Sequence, residues 1–357
     1  MPLALSSDRG PVNYRAHAHK AIRLVVEAAL LCLVLLIALA LWNVAVWKWQ
    51  QIHVHVPGSF YNVEGRQMRL YCTGDGSPAI VIETGLGSTS TGWLLVQEKL
   101  SALTRVCTYD RSGLGWSEPR PRPRDAEAIE RQLHALLDLG GVQRPIVLVG
   151  HSAGGLYNRE YAREFPAEVA ALVFVDSATP EQMDELPGFR AQYENDKRAA
   201  PRELWTDRLR VWSGLERLMG NCHSKVDKGF EKYAALYDAK ECRPDYVDGD
   251  LGEFMDLEAT LNEARRFTSF GNKPVLVLSA DPTHKHRSPR GDAEAPIWNR
   301  EQERLKSLSP QSWRVIAGGA GHTIFKDRQE LVVDQLTLLI NYLRKGPAPP
   351  FGTTTTQ

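Results

Sequence analysis

Seven short runs of apolar and β-branched residues recur between residues 66 and 319: RQMRLYCTG, AIVIETG, TRVCTYD, IVLVG, ALVFVDS, VLVLSAD and WRVIAGG. Several are almost continuously apolar, so both of their faces must be covered, as in strands of a parallel sheet flanked by helices on each side. Helical patterns lie between them. In DAEAIERQLHALLDLGG, Ile129, Leu133, Leu136 and Leu137 share a face, Asp125 is placed to cap the start and Gly140 to close the end. DRQELVVDQLTLLINYLRKG reads the same way, with Asp327 and Glu330 as a capping-box pair and Leu331, Leu338 and Tyr342 among its apolar positions. Strand and helix in alternation specify an α/β fold with right-handed crossovers. Residues 180–272 break the alternation and read as an inserted helical cap. Residues 346–357, GPAPPFGTTTTQ, are rich in chain breakers and read as a disordered tail.

Upstream of the sheet, AALLCLVLLIALALWNVAVW (residues 28–47) carries no charge, and Asn43 is its one strongly polar side chain. Twenty helical residues span about 30 Å, the thickness of a bilayer core. This predicts a transmembrane helix over 22–47 with the lipid bilayer as partner, preceded by a segment at 1–21 and followed by a linker at 48–57. Arg9, Arg15, Lys20 and Arg23 precede the run, and Lys48 is the one close basic residue after it, so the N-terminus is expected in the cytoplasm and the bulk of the chain outside it. Arg23 and Glu27 are spaced to pair on the helix, and Trp42 and Trp47 suit the far interface. Ala38 and Ala40 form the A-x-A pattern of a cleaved signal peptide, the competing reading; the apolar run continues past them to Trp47.

Cys32 falls in the membrane run, which leaves Cys72, Cys107, Cys222 and Cys242 outside it. Four cysteines in an oxidising compartment suggest two disulfides, with three possible connectivities. None has metal-site spacing. The 43 basic residues balance 43 acidic ones, so net charge gives no sign of a nucleic-acid partner.

The stretch PIVLVGHSAGGLYNREYA places Ser152 in a G-x-S-x-G pattern, Gly150 to Gly154, with an apolar strand before it and a helical pattern after it. That context marks a nucleophile elbow, in which a sharp turn exposes the serine hydroxyl and crowds its neighbours. A serine needs a base to take its proton. His322, in WRVIAGGAGHTIF, follows the last strand run, where a loop can carry it over the C-terminal edge of the sheet. His151 reads as structural. His284 and His286 form an H-x-H pair without a third ligand, so no metal site is expected. For the acid that orients the imidazole, Asp281 after VLVLSA is the first choice and Asp176 at the end of ALVFVD the alternative. Asp110, in YDRSGLGWS, precedes the serine and is expected to pair with Arg111 or brace a loop. The backbone amides of Ala153, directly after the serine, and of Leu86, between Gly85 and Gly87, are the candidate oxyanion donors.

TGLGS, YDRSGLGWS, GHSAGG, LVLSAD and GGAGH occur in the order found in α/β-hydrolases, and from about residue 58 to 345 the chain resembles that superfamily in its branch with a helical cap. The resemblance implies an eight-stranded, mostly parallel sheet with helices on both faces, a cofactor-free Ser152–His322–Asp281 triad, and Leu86 and Ala153 as oxyanion donors. Thr84 stands where many members have histidine. Haloalkane dehalogenases and epoxide hydrolases of similar fold have aspartate at the elbow, so Ser152 points away from their chemistry. The implied strand order also brings Cys72 beside Cys107, leaving Cys222 and Cys242 to staple the cap.

The expected function is a membrane-anchored serine hydrolase acting on a small-molecule ester or acyl substrate. The cap stretch ELWTDRLRVWSGLERLM, with Trp205, Leu209, Trp212, Leu215 and Met219 on one helical face, either packs against the domain or forms a lid for lipid-like substrates. Two other readings are a non-catalytic binding module on the same fold and an aminopeptidase.

Overall fold

The computed structural model describes residues 14–223, 225–240, 242–243, 247–284 and 289–357. Nine strands form one sheet: β1 Ser59–Val63, β2 Arg66–Thr73, β3 Ala79–Glu83, β4 Val106–Tyr109, β5 Ile146–His151, β6 Val169–Val175, β7 Val275–Ala280, β8 Ser312–Ala317 and β9 Thr354–Thr356. Their order is β1-β2-β4-β3-β5-β6-β7-β8-β9; β2 is antiparallel to both its neighbours, and every other pairing is parallel. Between the strands lie α2 Leu94–Leu100, α3 Ala126–Leu139, α4 Gly154–Glu164, the helices α5 Gln182–Glu185, α6 Phe189–Trp212, α7 Leu215–Leu218, α8 Ala234–Lys240, α9 Val247–Met255 and α10 Leu257–Ala264 between β6 and β7, and α11 Pro289–Arg304. Two more, α12 Ile324–Asp327 and α13 Gln329–Leu343, follow β8, and α1 Tyr14–His53 precedes the sheet.

Strand side chains alternate between the two faces, and the continuous apolar runs fill both. Val81, Leu148, Phe174 and Val277 pack with Leu133, Leu137 and Tyr161 of α3 and α4. Ile80, Ile82, Val149, Val173 and Leu278 pack on the other side with Val96 of α2 and Leu336 and Ile340 of α13. Asp125 caps α3 by accepting the Ala128 amide at 2.9 Å.

Three local expectations are corrected. The sheet has nine strands, because residues 346–357 are ordered: Phe351 packs edge-on against Trp313 and Tyr342, and Thr354–Thr356 then pair with β8. Asp327 closes α12 and accepts the Gly321 amide at 3.0 Å, so α13 starts beyond it without the capping box.

Helix α1 is longer than the expected 22–47 at both ends and takes in most of the expected linker. Its segment Ala18–His53 is long and apolar enough to cross a membrane, and its most apolar stretch is unburied. Arg23 and Glu27 pair at 2.8 Å. Toward its C-terminal end the helix touches the domain: Asn43 is fully buried. Arg9 and His286 lie outside the described residues.

Disulfides join Cys72 to Cys107, at directly opposed positions on β2 and β4, and Cys222 to Cys242 in the segment between β6 and β7. Cys32 is the free cysteine. Thiol titration of the chain unfolded without reductant should find one reactive thiol, lost in Cys32→Ser; more than one would contradict the pairing.

Candidate active site

Strand β5 delivers Ser152 in the left-handed region, at φ +52°. Such a conformation costs a non-glycine residue on the order of 1 kcal/mol or more, and here the surroundings leave no alternative. A Cβ on Gly150 would meet the Gly154 carbonyl oxygen at 2.6 Å, and one on Gly154 would meet the Glu83 carbonyl oxygen at 2.5 Å. Both glycines are therefore steric requirements of the turn into α4. Val175 at the end of β6 accepts the Ser152 amide at 3.3 Å, and the Ser152 carbonyl accepts the Ala178 amide at 2.9 Å, so the elbow is stitched to the strand beside it.

That strand ends in Asp176, also left-handed at φ +42°. His322 Nδ1 donates to Asp176 Oδ2 at 2.6 Å. A carboxylate only accepts, so the proton sits on Nδ1 and Nε2 is left as the free acceptor. The other oxygen of Asp176 accepts the Ala280 amide and the Trp298 indole Nε1–H, each at 3.0 Å. Burial opposes the charge on Asp176, but His322, the Ala280 amide and Trp298 together hold its carboxyl below the usual range. For His322, burial opposes protonation and is outweighed by the Asp176 hydrogen bond and charge, so its pKa is raised.

Asp281, the first-choice acid, makes no hydrogen bond to His322. Its Oδ1 accepts the Thr283 amide and hydroxyl at 2.8 and 2.7 Å, and its Oδ2 accepts the Gly319 amide at 2.8 Å. It ties the loop after β7 to the loop that carries His322, and both its oxygens are committed. The alternative, Asp176, holds the partner position because β6 lies between β5 and β7 and ends beside the elbow.

His151 is buried and neutral: desolvation first, then the neighbouring His322, push its pKa down to about 3. Its Nε2–H donates to the His322 carbonyl at 3.0 Å, and its ring packs on Phe325 and His322. It props the backbone of His322 rather than sharing its titration.

Ser152, Asp176 and His322 line a cavity of about 470 Å³ together with Leu86 and Ala153, and the described walls are mostly apolar, including Leu186, Phe189, Phe254, Leu257 and Trp298. Ser152 and His322 share this cavity without a hydrogen bond between them. Among the described residues, neither the Leu86 nor the Ala153 amide donates to a protein acceptor. Gly85 is required next to Leu86, since a Cβ there would come within 3.0 Å of the Ser152 Cβ. No three potential metal-ligating side chains converge among the described residues.

The loop bearing Leu86 is held by a buried ionic cluster that sequence reasoning missed. Arg111 donates to the carbonyls of Thr84 at 2.9 Å and Gly85 at 2.7 Å, pairs with Glu83, and forms a bidentate pair with Glu253 of α9 at 2.7 and 2.8 Å. Glu253 Oε2 also accepts the Gly87 amide at 3.0 Å. Asp110 does not pair with Arg111. It braces the neighbouring loop through the Ser90 amide at 3.0 Å, the Trp116 amide at 3.2 Å and Arg69 at 3.3 Å. The motif YDRSGLGWS held both residues, but Arg111 takes its partner from the cap, 142 positions away.

Residues 78–329 match the family model of the alpha/beta hydrolase fold, and the chain belongs to that family. Among solved structures, it is similar to a putative lipase from Acinetobacter baumannii (TM-score 0.58, 16% identity, 85% of this chain and 97% of that one). It is also similar to a thermophilic esterase from Thermogutta terrifontis (TM-score 0.54, 22% identity, 81% and 99%). Among curated sequences, the probable transporter efuK of Hormonema carpetanum is 26% identical over 296 residues, 74% of this chain and 39% of that protein. The chain spans 39%, 39% and 43% of the first three curated relatives it matches.

Removing Glu253 takes the bidentate partner from a fully buried guanidinium, a change that costs about 3 to 5 kcal/mol. Denaturant unfolding of Glu253→Ala should show a loss of that order, and Glu253→Gln a smaller one; wild-type stability in both would contradict the cluster's role.

Proposed function

We propose that the protein is a membrane-anchored serine hydrolase that cleaves an ester or related acyl bond, with Ser152 as nucleophile, His322 as base and Asp176 as the acid. The observation that carries the reading is the His322 Nδ1 bond to buried Asp176 in the cavity that also holds the strained Ser152. With Nδ1 protonated, Nε2 is the atom left to take the serine proton. Nucleophile–base hydrogen bonds are commonly long in a ligand-free site and tighten when substrate binds.

In this reading Ser152 Oγ attacks the acyl carbon while its proton passes to His322 Nε2. The imidazolium so formed is stabilised by Asp176, and the tetrahedral oxyanion by the Leu86 and Ala153 amides. The imidazolium then protonates the leaving group; water, giving its proton to the same Nε2, attacks the acyl carbon, and that proton passes to Ser152 Oγ as the acyl–Oγ bond breaks and the acid leaves. No metal or cofactor enters the scheme. The apolar cavity wall suits an acyl chain, so lipid-like esters are the favoured substrate class. Anchoring rests on the uncharged run of α1, and the basic residues before it favour an N-terminus in the cytoplasm with the active site outside it.

Hydrolysis of esters of graded acyl length by the full chain in detergent tests the assignment. Ser152→Ala should abolish turnover, and Asp176→Asn should lower kcat on the order of 10⁴-fold by removing the acceptor that fixes the tautomer. Asp281→Asn should retain kcat within a few-fold; the reverse order would restore Asp281 as the acid.

The base must be neutral to act, and Asp176 raises its pKa, so kcat/KM should fall with decreasing pH through a value above about 6.5, that of a free imidazole. His151, neutral down to about 3, adds no second limb. The linkage to stability has the opposite sense. The raised His322 pKa contributes stability that is fully present below the unfolded value and lost as pH rises through the folded one, whereas the lowered Asp176 pKa contributes stability that is lost as pH falls through its folded value. An acid limb well below pH 6.5 would contradict the His322–Asp176 coupling.

A further inference from the structure

The apolar residues expected to line a lid do not face the cavity. Gly214 breaks the stretch into α6 and α7, and Trp205, Leu209, Trp212, Leu215, Leu218 and Met219 are all exposed, Leu218 at 64% and Trp205 at 63%. A cluster of this size on one hairpin is too apolar to be left to water without a partner.

What covers it is indicated by where the hairpin sits. A Cβ on Gly214 would lie 2.8 Å from the Leu39 carbonyl oxygen and 3.0 Å from the Asn43 Cβ, so the turn between α6 and α7 packs directly on α1. Asn43 Nδ2 donates to the Val211 carbonyl at 2.8 Å, and Arg217 Nε donates to Asn43 Oδ1 at 2.8 Å. The one strongly polar side chain of the apolar run is thus satisfied by the hairpin, as a polar group at that position requires.

Leu39 lies eight residues before Trp47, the end of the uncharged run, or about 12 Å along the helix axis. If the bilayer ended before Leu39, only residues 22–38 would cross it, about 25 Å of helix against a core of about 30 Å. The membrane boundary therefore falls at or beyond Leu39, the level at which Gly214 packs on α1.

We propose that the α6–α7 hairpin is a bilayer-docking surface: its apolar side chains enter the outer leaflet beside α1, and Arg217, bonded to Asn43 and held near Gln50 at 3.4 Å, lies toward the headgroups. This rests on the reading of α1 as a membrane span and adds a second membrane contact, made by the cap itself. Because α6 begins with Phe189 in the cavity wall, docking fixes the cap, and with it the cavity, against the lipid surface.

The test uses the full chain with Cys32→Ser, reconstituted in phosphatidylcholine–phosphatidylglycerol vesicles and spin-labelled at single introduced cysteines. Leu31→Cys reports the span, Leu209→Cys and Leu218→Cys the hairpin, and Leu139→Cys, exposed at the C-terminal end of α3, the aqueous reference. The ratio of oxygen to nickel-chelate accessibility should be several-fold higher at positions 31, 209 and 218 than at 139. A high ratio at 31 with aqueous values at 209 and 218 overturns the docking surface and leaves the anchor standing. An aqueous value at 31 overturns the anchor and the docking surface with it.

Discussion

The backbone turn at Ser152 is the constraint on which the site depends. A left-handed serine is tolerated there because Gly150 and Gly154 let the strand-to-helix junction close to distances that any Cβ would forbid, and because Gly85 clears the space opposite. The same closeness stitches the elbow to β6 and the turn after it: Val175 accepts the Ser152 amide and Ala178 donates to the Ser152 carbonyl. Asp176 follows at once, itself left-handed, and its position next to the serine is a consequence of that stitching. From Asp176 the chain of contacts runs to His322, and from His322 back to His151 beside the serine.

Much of the site was legible in the sequence because its determinants are local. A glycine-flanked serine between an apolar run and a helical pattern needs no tertiary information, and a histidine in a glycine-rich loop after the last apolar run is nearly as plain. The acid was not legible to the same degree. Asp176 and Asp281 both follow an apolar run of the same kind, and which of them meets the histidine depends on how two loops reach over the sheet edge. Thr283, two residues after Asp281, marked an Asx-type turn that would occupy the carboxylate locally, the one signal that favoured Asp176. The tail misled for a different reason: its composition suited disorder, but Phe351 finds Trp313 and Tyr342, and an open sheet edge supplies the pairing.

Two of the polar contacts that join the cap to the rest bear on function, and only the fold brings their partners together. Glu253 reaches from α9 to Arg111 and Gly87, so the loop that bears one proposed oxyanion donor is held partly by the cap. Asn43 and Arg217 join the hairpin to α1. The apolar cavity and the exposed apolar hairpin share none of their apolar side chains. A substrate with a long acyl chain is consistent with both, since the first accepts such a chain and the second is suited to the phase in which it resides.

The most direct measurement is covalent: the full chain is treated with a fluorophosphonate, digested, and the modified residue located by mass spectrometry. The predicted result is one adduct, on Ser152, whose formation slows by orders of magnitude in His322→Ala and Asp176→Asn while Asp281→Asn labels at close to the wild-type rate. An unlabelled Ser152 in folded wild-type protein, or labelling indifferent to His322, would contradict the reading of this site as a serine hydrolase.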